Sequence, residues 1–248
     1  MELNQSKKPQ KVIIIGASSG MGRELAKVMA AHGYIVGVAA PQKELLTSLC
    51  NEIPSRTYSC AIDVREENAC NKLNSLIAEM GGVNIVVICA GIGPQNPDLS
   101  FILDKQTIDV DITGFCAMAT TSMHHFIKHK RGHLVAISSI AGIRGNDTAP
   151  AYNASKAFIS NYLQGLRKKI VHENLAIDIT DIKPGFVDTV MANTYTKPFW
   201  MISAHKAAHY IFCGIINKRK VVYVSSRWRL VAWALYLAPD WIYNKLDL

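Results

Sequence analysis

Seven short apolar runs alternate along the chain with segments of helical periodicity, and this alternation limits the fold more than any other feature. The runs are 12–15, 35–39, 58–62, 85–88, 133–137, 176–182 and 221–224, and clear helical periods lie at 22–32 and 154–171. Apolar strands without polar alternation, each followed by a crossover helix, are typical of a parallel sheet with helices on both faces. The sequence therefore predicts an α/β fold, a doubly wound parallel sheet of about seven strands.

Length and composition fit a single domain. Hydrophobic residues make up 49% and charged residues 19% of the 248 residues, and no Gly/Pro-rich stretch or charge block divides the chain. We predict one domain over 1–248, with 225–248 as an apolar and aromatic extension. The polar start, MELNQSKKPQ, predicts neither a signal sequence nor a membrane anchor and favours the cytoplasm. The six cysteines form no CxxC pair, which favours reduced thiols.

A serine, a tyrosine and a lysine form the first candidate site. Tyr152 and Lys156 are four residues apart in a helical segment, so their side chains share one face. A cation beside a phenol stabilises the phenolate, which suits a proton donor and acceptor. Alone, Ser139 fits the turn after a strand and Tyr152 fits a half-buried helix position. Together they predict an active site.

A glycine-rich turn follows the first apolar run. Its candidate binding residues are Gly16, Ser18, Ser19, Gly20, Met21 and Gly22. Glycines let the backbone approach a pyrophosphate, and the N-terminus of the next helix stabilises its charge. The spacing is G-x-x-x-G-x-G, and a tight turn also needs glycine for steric reasons alone. The position after the first strand, with the Ser-Tyr-Lys set downstream, favours a dinucleotide site.

Six motifs in order resemble those of the classical short-chain dehydrogenase/reductase family, over nearly the whole chain. They are GASSGMG at 16–22, DV at 63–64, CAG at 89–91, ISS at 137–139, YNASK at 152–156 and PGFVDT at 184–189. The resemblance implies a Rossmann-type fold and an NAD(P)-dependent oxidoreductase that interconverts a carbonyl and a secondary alcohol. It also implies a homodimer or homotetramer.

The resemblance further implies a role for each matching residue. Ser139 would hydrogen-bond the substrate carbonyl, Tyr152 would pass the proton, and Lys156 would hold the nicotinamide ribose. The glycine turn would hold the cofactor diphosphate. The other implied cofactor contacts are Asp63 with Val64 for the adenine, Cys89, Ala90 and Gly91 for the adenosine ribose, and Pro184, Gly185, Val187 and Thr189 for the nicotinamide side.

Asp111, in DVDITGF at 109–115, departs from the family pattern. The family usually has an asparagine there, which helps to hold a water in the proton relay behind the lysine. A carboxylate can hold that water too, so we expect catalysis to survive with Asp111 as a catalytic residue. Its charge should raise the pKa of Lys156 and change the pH range of the reaction. Asp111 also motivates an alternative, a non-catalytic cofactor-binding scaffold or sensor, either free or associated with a membrane surface. The intact Ser-Tyr-Lys set argues against it.

The end of the second strand bears on the choice of cofactor. A carboxylate there would bind the ribose diol of NAD, and an arginine just beyond it would bind the 2′-phosphate of NADP. The chain has neither in VAAPQK at 38–43. Because no carboxylate repels the phosphate, and Ser18 and Lys43 are available as partners, the sequence favours NADP, with NAD possible.

The C-terminal segment is the least similar to the family. Arg227, Trp228 and Arg229 precede the uncharged run 230–238 and the sequence PDWIY at 239–243. Nine apolar residues are too few to span a bilayer. Tryptophans with flanking arginines fit an interfacial segment, and the net charge of +8 favours an anionic membrane surface. A helix that closes the substrate cleft, or a subunit contact, is favoured over peripheral membrane contact. Each interpretation predicts an apolar substrate or partner.

Three weaker patterns complete the sequence. The loop 190–203, with Pro198, Phe199 and Trp200, resembles the variable lid over the family's substrate cleft. A pair of histidines, His125 and His129, has no evident third ligand, so no metal is predicted. The short basic runs lack interleaved stacking aromatics, so we predict no nucleic acid as a partner but a small-molecule carbonyl or alcohol.

Overall fold

The computed structural model describes residues 9–189 and 200–245. Nine strands occur within these residues. They are β1 (Lys11–Ile15), β2 (Ile35–Ala40), β3 (Thr57–Ala61), β4 (Ile85–Ile88), β5 (Arg131–Ile137), β6 (Ala176–Pro184), β7 (Val187–Asp188), β8 (Ile202–Ser203) and β9 (Val221–Val224). Seven of them form a parallel sheet in the order β3-β2-β1-β4-β5-β6-β9, and β7 pairs separately with β8. The predicted doubly wound parallel sheet is confirmed.

Helices connect the strands. They are α1 (Gly20–Ala31), α2 (Lys43–Glu52), α3 (Ala69–Glu79), α4 (Phe101–Ile108), α5 (Phe115–His129), α6 (Pro150–His172), α7 (Ala204–Ile216), α8 (Arg227–Leu237) and α9 (Asp240–Tyr243). A π-helical turn, Asp109–Gly114, joins α4 to α5, and a 3-10 turn, Ile140–Ile143, follows β5. Helix α6 begins at Pro150, four residues before the predicted period, because proline suits the first position of a helix.

Two hydrophobic cores lie on opposite faces of the sheet. Helices α1, α2 and α7 cover one face, where Ile14 is buried, and α3, α5 and α6 cover the other, where Ile13 and Ile15 are buried. Successive side chains of a strand point to opposite faces. A strand with helices on both sides therefore favours apolar residues at successive positions, which is why β1, β2 and β4 show no polar alternation.

The sheet order places the candidate residues at one edge. The chain order reverses between β1 and β4, and ligands of such sheets bind beyond the carboxyl ends of the strands at that point. The segments that follow β1 and β4 lie side by side there, since the Cys89 N–H donates to the Ile15 carbonyl at 2.7 Å. The glycine turn and the CAG motif are thereby brought together.

Candidate active site

Helix α6 carries Tyr152 and Lys156 one turn apart. The Lys156 Nζ atom lies 5.3 Å from the centre of the Tyr152 ring, within the range of a cation–π contact. The lysine side chain is buried, so its ammonium needs a partner. The spacing recognised in the sequence thus places the two side chains together, as expected for one helix face.

Asp111 is that partner. It lies in the π-helical turn before α5, and its Oδ2 atom is 2.7 Å from Lys156 Nζ. Its Oδ1 accepts a hydrogen bond from the Ile92 N–H at 2.7 Å, and Oδ2 accepts one from Ser155 Oγ at 3.1 Å. A buried ion pair is stable only when such additional donors satisfy it. The carboxylate therefore contacts the lysine directly, whereas the family resemblance implied a role through a water.

The environment of Lys156 has opposing effects on its pKa. Burial lowers the pKa of Lys156, but the Asp111 carboxylate, followed by Tyr152, favours the ammonium, and the pKa rises above its usual value. This is the direction predicted from the sequence. The lysine therefore stays charged at neutral pH, with its charge balanced by Asp111.

Gly91 of the CAG motif leaves room for this pair. A Cβ atom at this position would lie 2.9 Å from Lys156 Nζ and 3.3 Å from Asp111 Oδ1. Any larger residue would displace one of the two charged groups. The structure thus adds a reason for this glycine that the sequence did not show.

Ser139 lies two residues beyond the end of β5 and caps the 3-10 turn. Its Oγ accepts a hydrogen bond from the Ala141 N–H at 3.1 Å and donates one to the Pro184 carbonyl at 3.3 Å. The side chain is mostly buried but lines the same cavity as Tyr152. To donate to a substrate oxygen, the hydroxyl must rotate its proton away from Pro184.

A second buried network, missed by the sequence analysis, supports the segment after β5 that carries Ser138 and Ser139. Ser138 Oγ donates to the Asp181 carboxylate, and Lys183 Nζ lies 3.0 Å from Asp181 Oδ2. Lys183 also donates to Ser160 Oγ at 2.5 Å. These contacts tie β5 and β6 to α6. The contacts from Ser138 to Asp181 and from Lys183 to Ser160 join residues far apart in sequence, so no local pattern indicated them.

A cavity of about 200 Å³ lies beside Ser139 and Tyr152, and its walls are mostly apolar. Four of the predicted cofactor residues also line it, namely Met21, Gly185, Val187 and Thr189. The Thr189 hydroxyl donates to the Val187 carbonyl at 3.3 Å. Arg144 and Asn146 line the cavity as well, and the sequence analysis did not single them out.

Helix α8 forms the opposite wall of this cavity through Trp228, Val231 and Leu235. Trp228 is buried, and a Cβ atom on Gly185 would lie 2.0 Å from its ring. The glycine of the PGF motif is therefore required for this packing. The predicted cleft-closing role of the C-terminal segment agrees with this position. No helix in residues 9–189 and 200–245 has the length and apolarity to cross a membrane.

The glycine turn forms a close backbone crossing. Gly16 has φ of +90°, and a Cβ atom there would lie 2.4 Å from Ala90 N. A Cβ atom on Gly22 would lie 2.1 Å from the Gly16 carbonyl oxygen. Ser19 begins α1 without a side-chain cap, and the first turn has no acidic residue. The backbone N–H groups of the turn can therefore donate to a diphosphate, which is the group that a dinucleotide places at this turn in Rossmann-type folds.

Asp63 and Val64 follow β3 near the expected adenine position. Asp63 is paired with Arg65, whose Nη2 lies 2.6 Å from Asp63 Oδ2. Hydrogen bonds from Arg65 hold the pKa of the Asp63 carboxyl below its usual value. Val64 packs on Gly114, where a Cβ atom would lie 2.5 Å away. The sequence analysis overlooked Arg65. Its position two residues after the oppositely charged Asp63 could have indicated the ion pair.

Part of the predicted lid loop falls outside the described residues, including Pro198 and Phe199. Trp200 is described, with its ring 6.0 Å from that of Trp228. In the described part of the chain, no group of three or more His, Cys, Asp and Glu side chains is placed to hold a metal ion.

Comparison with known proteins gives consistent similarities. Residues 10–198 match a family model described as short chain dehydrogenase. An uncharacterized oxidoreductase of Myxococcus xanthus is 33% identical over 226 residues, which cover 88% of this chain and 87% of that protein.

Two solved structures share the fold. A short chain dehydrogenase/reductase from Burkholderia phymatum in complex with NAD has a TM-score of 0.83 at 17% identity. The match covers 91% of this chain and 92% of the Burkholderia chain. A serine dehydrogenase complexed with NADP+ has a TM-score of 0.77 at 22% identity. The match covers 86% of this chain and 94% of the serine dehydrogenase chain.

Proposed function

Because the chain belongs to the short-chain dehydrogenase family, we propose that it is a nicotinamide-dependent oxidoreductase that interconverts a carbonyl and a secondary alcohol. The observation that carries this proposal is the cavity shared by Ser139 and Tyr152, with the charged Lys156 beside the tyrosine ring. The mostly apolar walls support an apolar or amphipathic substrate.

The two hydroxyls at the cavity act on the substrate oxygen. A bound nicotinamide would supply or accept the hydride at the carbonyl carbon. Negative charge then develops on the oxygen, and donors already aimed at it stabilise that charge without reorganisation. Ser139 donates once its proton has turned from Pro184, and Tyr152 passes the proton.

Lys156 and Asp111 act behind the tyrosine. Lys156 holds a positive charge beside the phenol and offers its ammonium to the nicotinamide ribose. Asp111 keeps that ammonium charged and fixes its position. We therefore assign Asp111 a positioning role through Lys156, rather than direct contact with substrate.

The cofactor would bind along the carboxyl edge of the sheet. The glycine turn and the N-terminus of α1 would hold the diphosphate, Asp63 the adenine, the CAG motif the adenosine ribose, and residues 184–189 the nicotinamide side. One similar structure is a complex with NAD and another with NADP+, which supports the cofactor class but not a choice within it.

We propose NADP as the preferred cofactor. Sequence 38–42 carries no charged side chain where β2 ends, so nothing there repels a 2′-phosphate, and Lys43 is exposed just beyond. A KM for NADPH below that for NADH in the purified protein would support this choice, and the reverse order would contradict it.

We also propose that the protein forms a homodimer or homotetramer, as the resemblance implies. Exposed apolar side chains at the start of α4, Phe101 and Ile102, support a subunit contact there. A cytoplasmic location stays a prediction.

A carbonyl screen tests the proposed reaction. Purified protein is mixed with NADPH or NADH and with short and long-chain ketones, 3-oxoacyl thioesters or steroids, and cofactor oxidation is followed by absorbance. We expect turnover with an apolar ketone and a loss of at least about 10²-fold in kcat for Tyr152→Phe. Full turnover in that variant on a confirmed substrate would contradict the assigned role of Tyr152. Oxidation of neither cofactor with any carbonyl class would contradict the proposed activity.

A further inference from the structure

Helix α8 is apolar on both of its long faces. One face is buried at Trp228 and lines the cavity with Val231. Leu230, Trp233 and Leu237 are spaced by three and four residues, so they share the opposite face, and that face is exposed. A helix that is apolar all round is normally covered on all sides. Nothing in the described residues covers the outer face of α8.

The exposed face continues beyond α8. We define the C-terminal patch as the large apolar side chains that are 65% to 79% exposed over α8 and α9, which are Leu230, Trp233, Tyr236, Leu237 and Trp241. Single exposed apolar residues are ordinary, but a cluster of this size marks an interaction surface. Three of the five side chains are Trp or Tyr, which concentrate at the headgroup level of membranes.

The charges around the C-terminal patch are mainly positive. Arg227 and Arg229 stand exposed in the first turn of α8, and Lys245 follows α9. Among the described residues of this segment, the acidic side chain is Asp240, which is paired with Arg144 at 3.2 Å. A second copy of the chain would present the same positive charges and be repelled, whereas anionic phospholipid headgroups attract them.

We propose that the C-terminal patch is a docking surface for bilayers that contain anionic phospholipids. The aromatic rings enter the headgroup region, and the arginines pair with lipid phosphates. Membrane contact and closure of the cavity are compatible because they use opposite faces of α8. If the proposed function holds, docking brings the wall of the substrate cavity to the lipid surface, where an apolar ketone is concentrated.

Vesicle sedimentation tests this surface without cofactor or substrate. We expect the full chain to sediment with vesicles made of equal parts phosphatidylcholine and phosphatidylglycerol, to stay in solution with phosphatidylcholine alone, and to be released by high salt. Replacement of one aromatic ring, Trp233→Ser, should lower the partition coefficient about tenfold. Removal of one charge, Arg229→Gln, should lower it about fivefold. Leu237→Ser repeats the first test if Trp233→Ser does not fold.

Two matched controls lie elsewhere on the surface. Val171 is an exposed apolar residue near the end of α6, and Lys128 is an exposed cation at the end of α5. Val171→Ser and Lys128→Gln should bind the mixed vesicles as the wild type does. Equal losses in these controls would overturn the proposal, because the binding would then not be specific to the C-terminal patch.

Two further outcomes would also overturn it. One is the absence of sedimentation with the mixed vesicles. The other is a smaller molar mass of Trp233→Ser in light scattering with unchanged vesicle binding, which would identify the patch as a subunit contact. Tyr152→Phe should bind vesicles fully, so a failure of the proposed reaction is distinguishable from a failure of docking.

Discussion

Two largely buried lysine–aspartate pairs differ in what surrounds them. Lys156 and Asp111 are 2.7 Å apart beside the Tyr152 ring. Lys183 and Asp181 are 3.0 Å apart among serine hydroxyls. The two pairs have the same chemistry, so the ion pair itself does not indicate function. The Lys156–Asp111 pair differs because Tyr152, a proton donor at the cavity, lies beside it. The Lys183–Asp181 pair instead links β6 to α6 and to the segment after β5.

The largest expected effect comes from removing each carboxylate. Asp111→Ala leaves the Lys156 ammonium buried without a partner and should lower the free energy of unfolding by about 3–5 kcal/mol. Asp181→Ala should cost less, because the side chain of Lys183 is 12% exposed against 6% for Lys156 and reaches water more easily. Urea unfolding at pH 7 measures both. A larger loss for Asp181→Ala would reverse the comparison.

Removing each ammonium separates function from structure. Lys156→Met should lower kcat by at least about 10²-fold on a confirmed substrate, since the charge beside Tyr152 is lost. Lys183→Met should leave kcat close to the wild-type value in the folded fraction, because the polar partners of Lys183, Ser160 and Asp181, do not line the cavity. Steady-state kinetics with circular dichroism as the folding control measure both variants. Equal losses of kcat would show that the two pairs serve the same role.

Asp111→Asn removes the carboxylate charge at nearly constant shape, and so tests how stability and activity depend on pH. Asp111 raises the pKa of Lys156, so the wild type gains stability that is fully present below the unfolded pKa of about 10.4 and is lost as the pH rises through the folded pKa. In Asp111→Asn, burial still lowers the pKa of Lys156 while the raising effect of the carboxylate is lost, so the pKa falls relative to the wild type and that gain in stability shrinks. Activity should remain, with its alkaline limb at lower pH.

Activity profiles and urea unfolding between pH 7 and about pH 11 measure the shift, a range that covers the lysine pKa. Asp181→Asn is the matched control and should keep the wild-type activity profile. An unchanged alkaline limb in Asp111→Asn would show that Lys156 does not govern it.

The smallest expected effects come from the serines that support each pair. Ser155 donates to Asp111, and Ser160 accepts from Lys183. Ser155→Ala and Ser160→Ala should each cost about 1 kcal/mol of unfolding free energy, the worth of one hydrogen bond. Only Ser155→Ala should also move the pH profile. A moved profile in Ser160→Ala would mean that the second network reaches the reacting groups.

Features set by local spacing could be predicted from the sequence. The strand β4 has the predicted bounds, and β5 begins two residues before the predicted run, at Arg131, where a polar residue at a strand end breaks the apolar pattern. The shared face of Tyr152 and Lys156 follows from one helical turn. The roles assigned to these residues stay predictions, since their test is kinetic.

Contacts between distant segments could not be predicted in the same way. Asp111 was recognised as a departure, but its direct contact with Lys156 depends on how the π-helical turn packs against α6. The contact of Trp228 with Gly185 depends on where α8 lies relative to β6. Neither distance is encoded in a periodic pattern.

The sequence by itself determined the succession of strands and helices along the chain, the backbone turn after β1 and the tyrosine–lysine spacing. Each of these depends on residues within a few positions of one another. The tertiary structure alone decided that the Asp111 carboxylate contacts Lys156 directly, and which face of α8 closes the cavity. Buried charges must find partners and apolar faces must be covered, and the partner that meets these needs is the one that packing brings near.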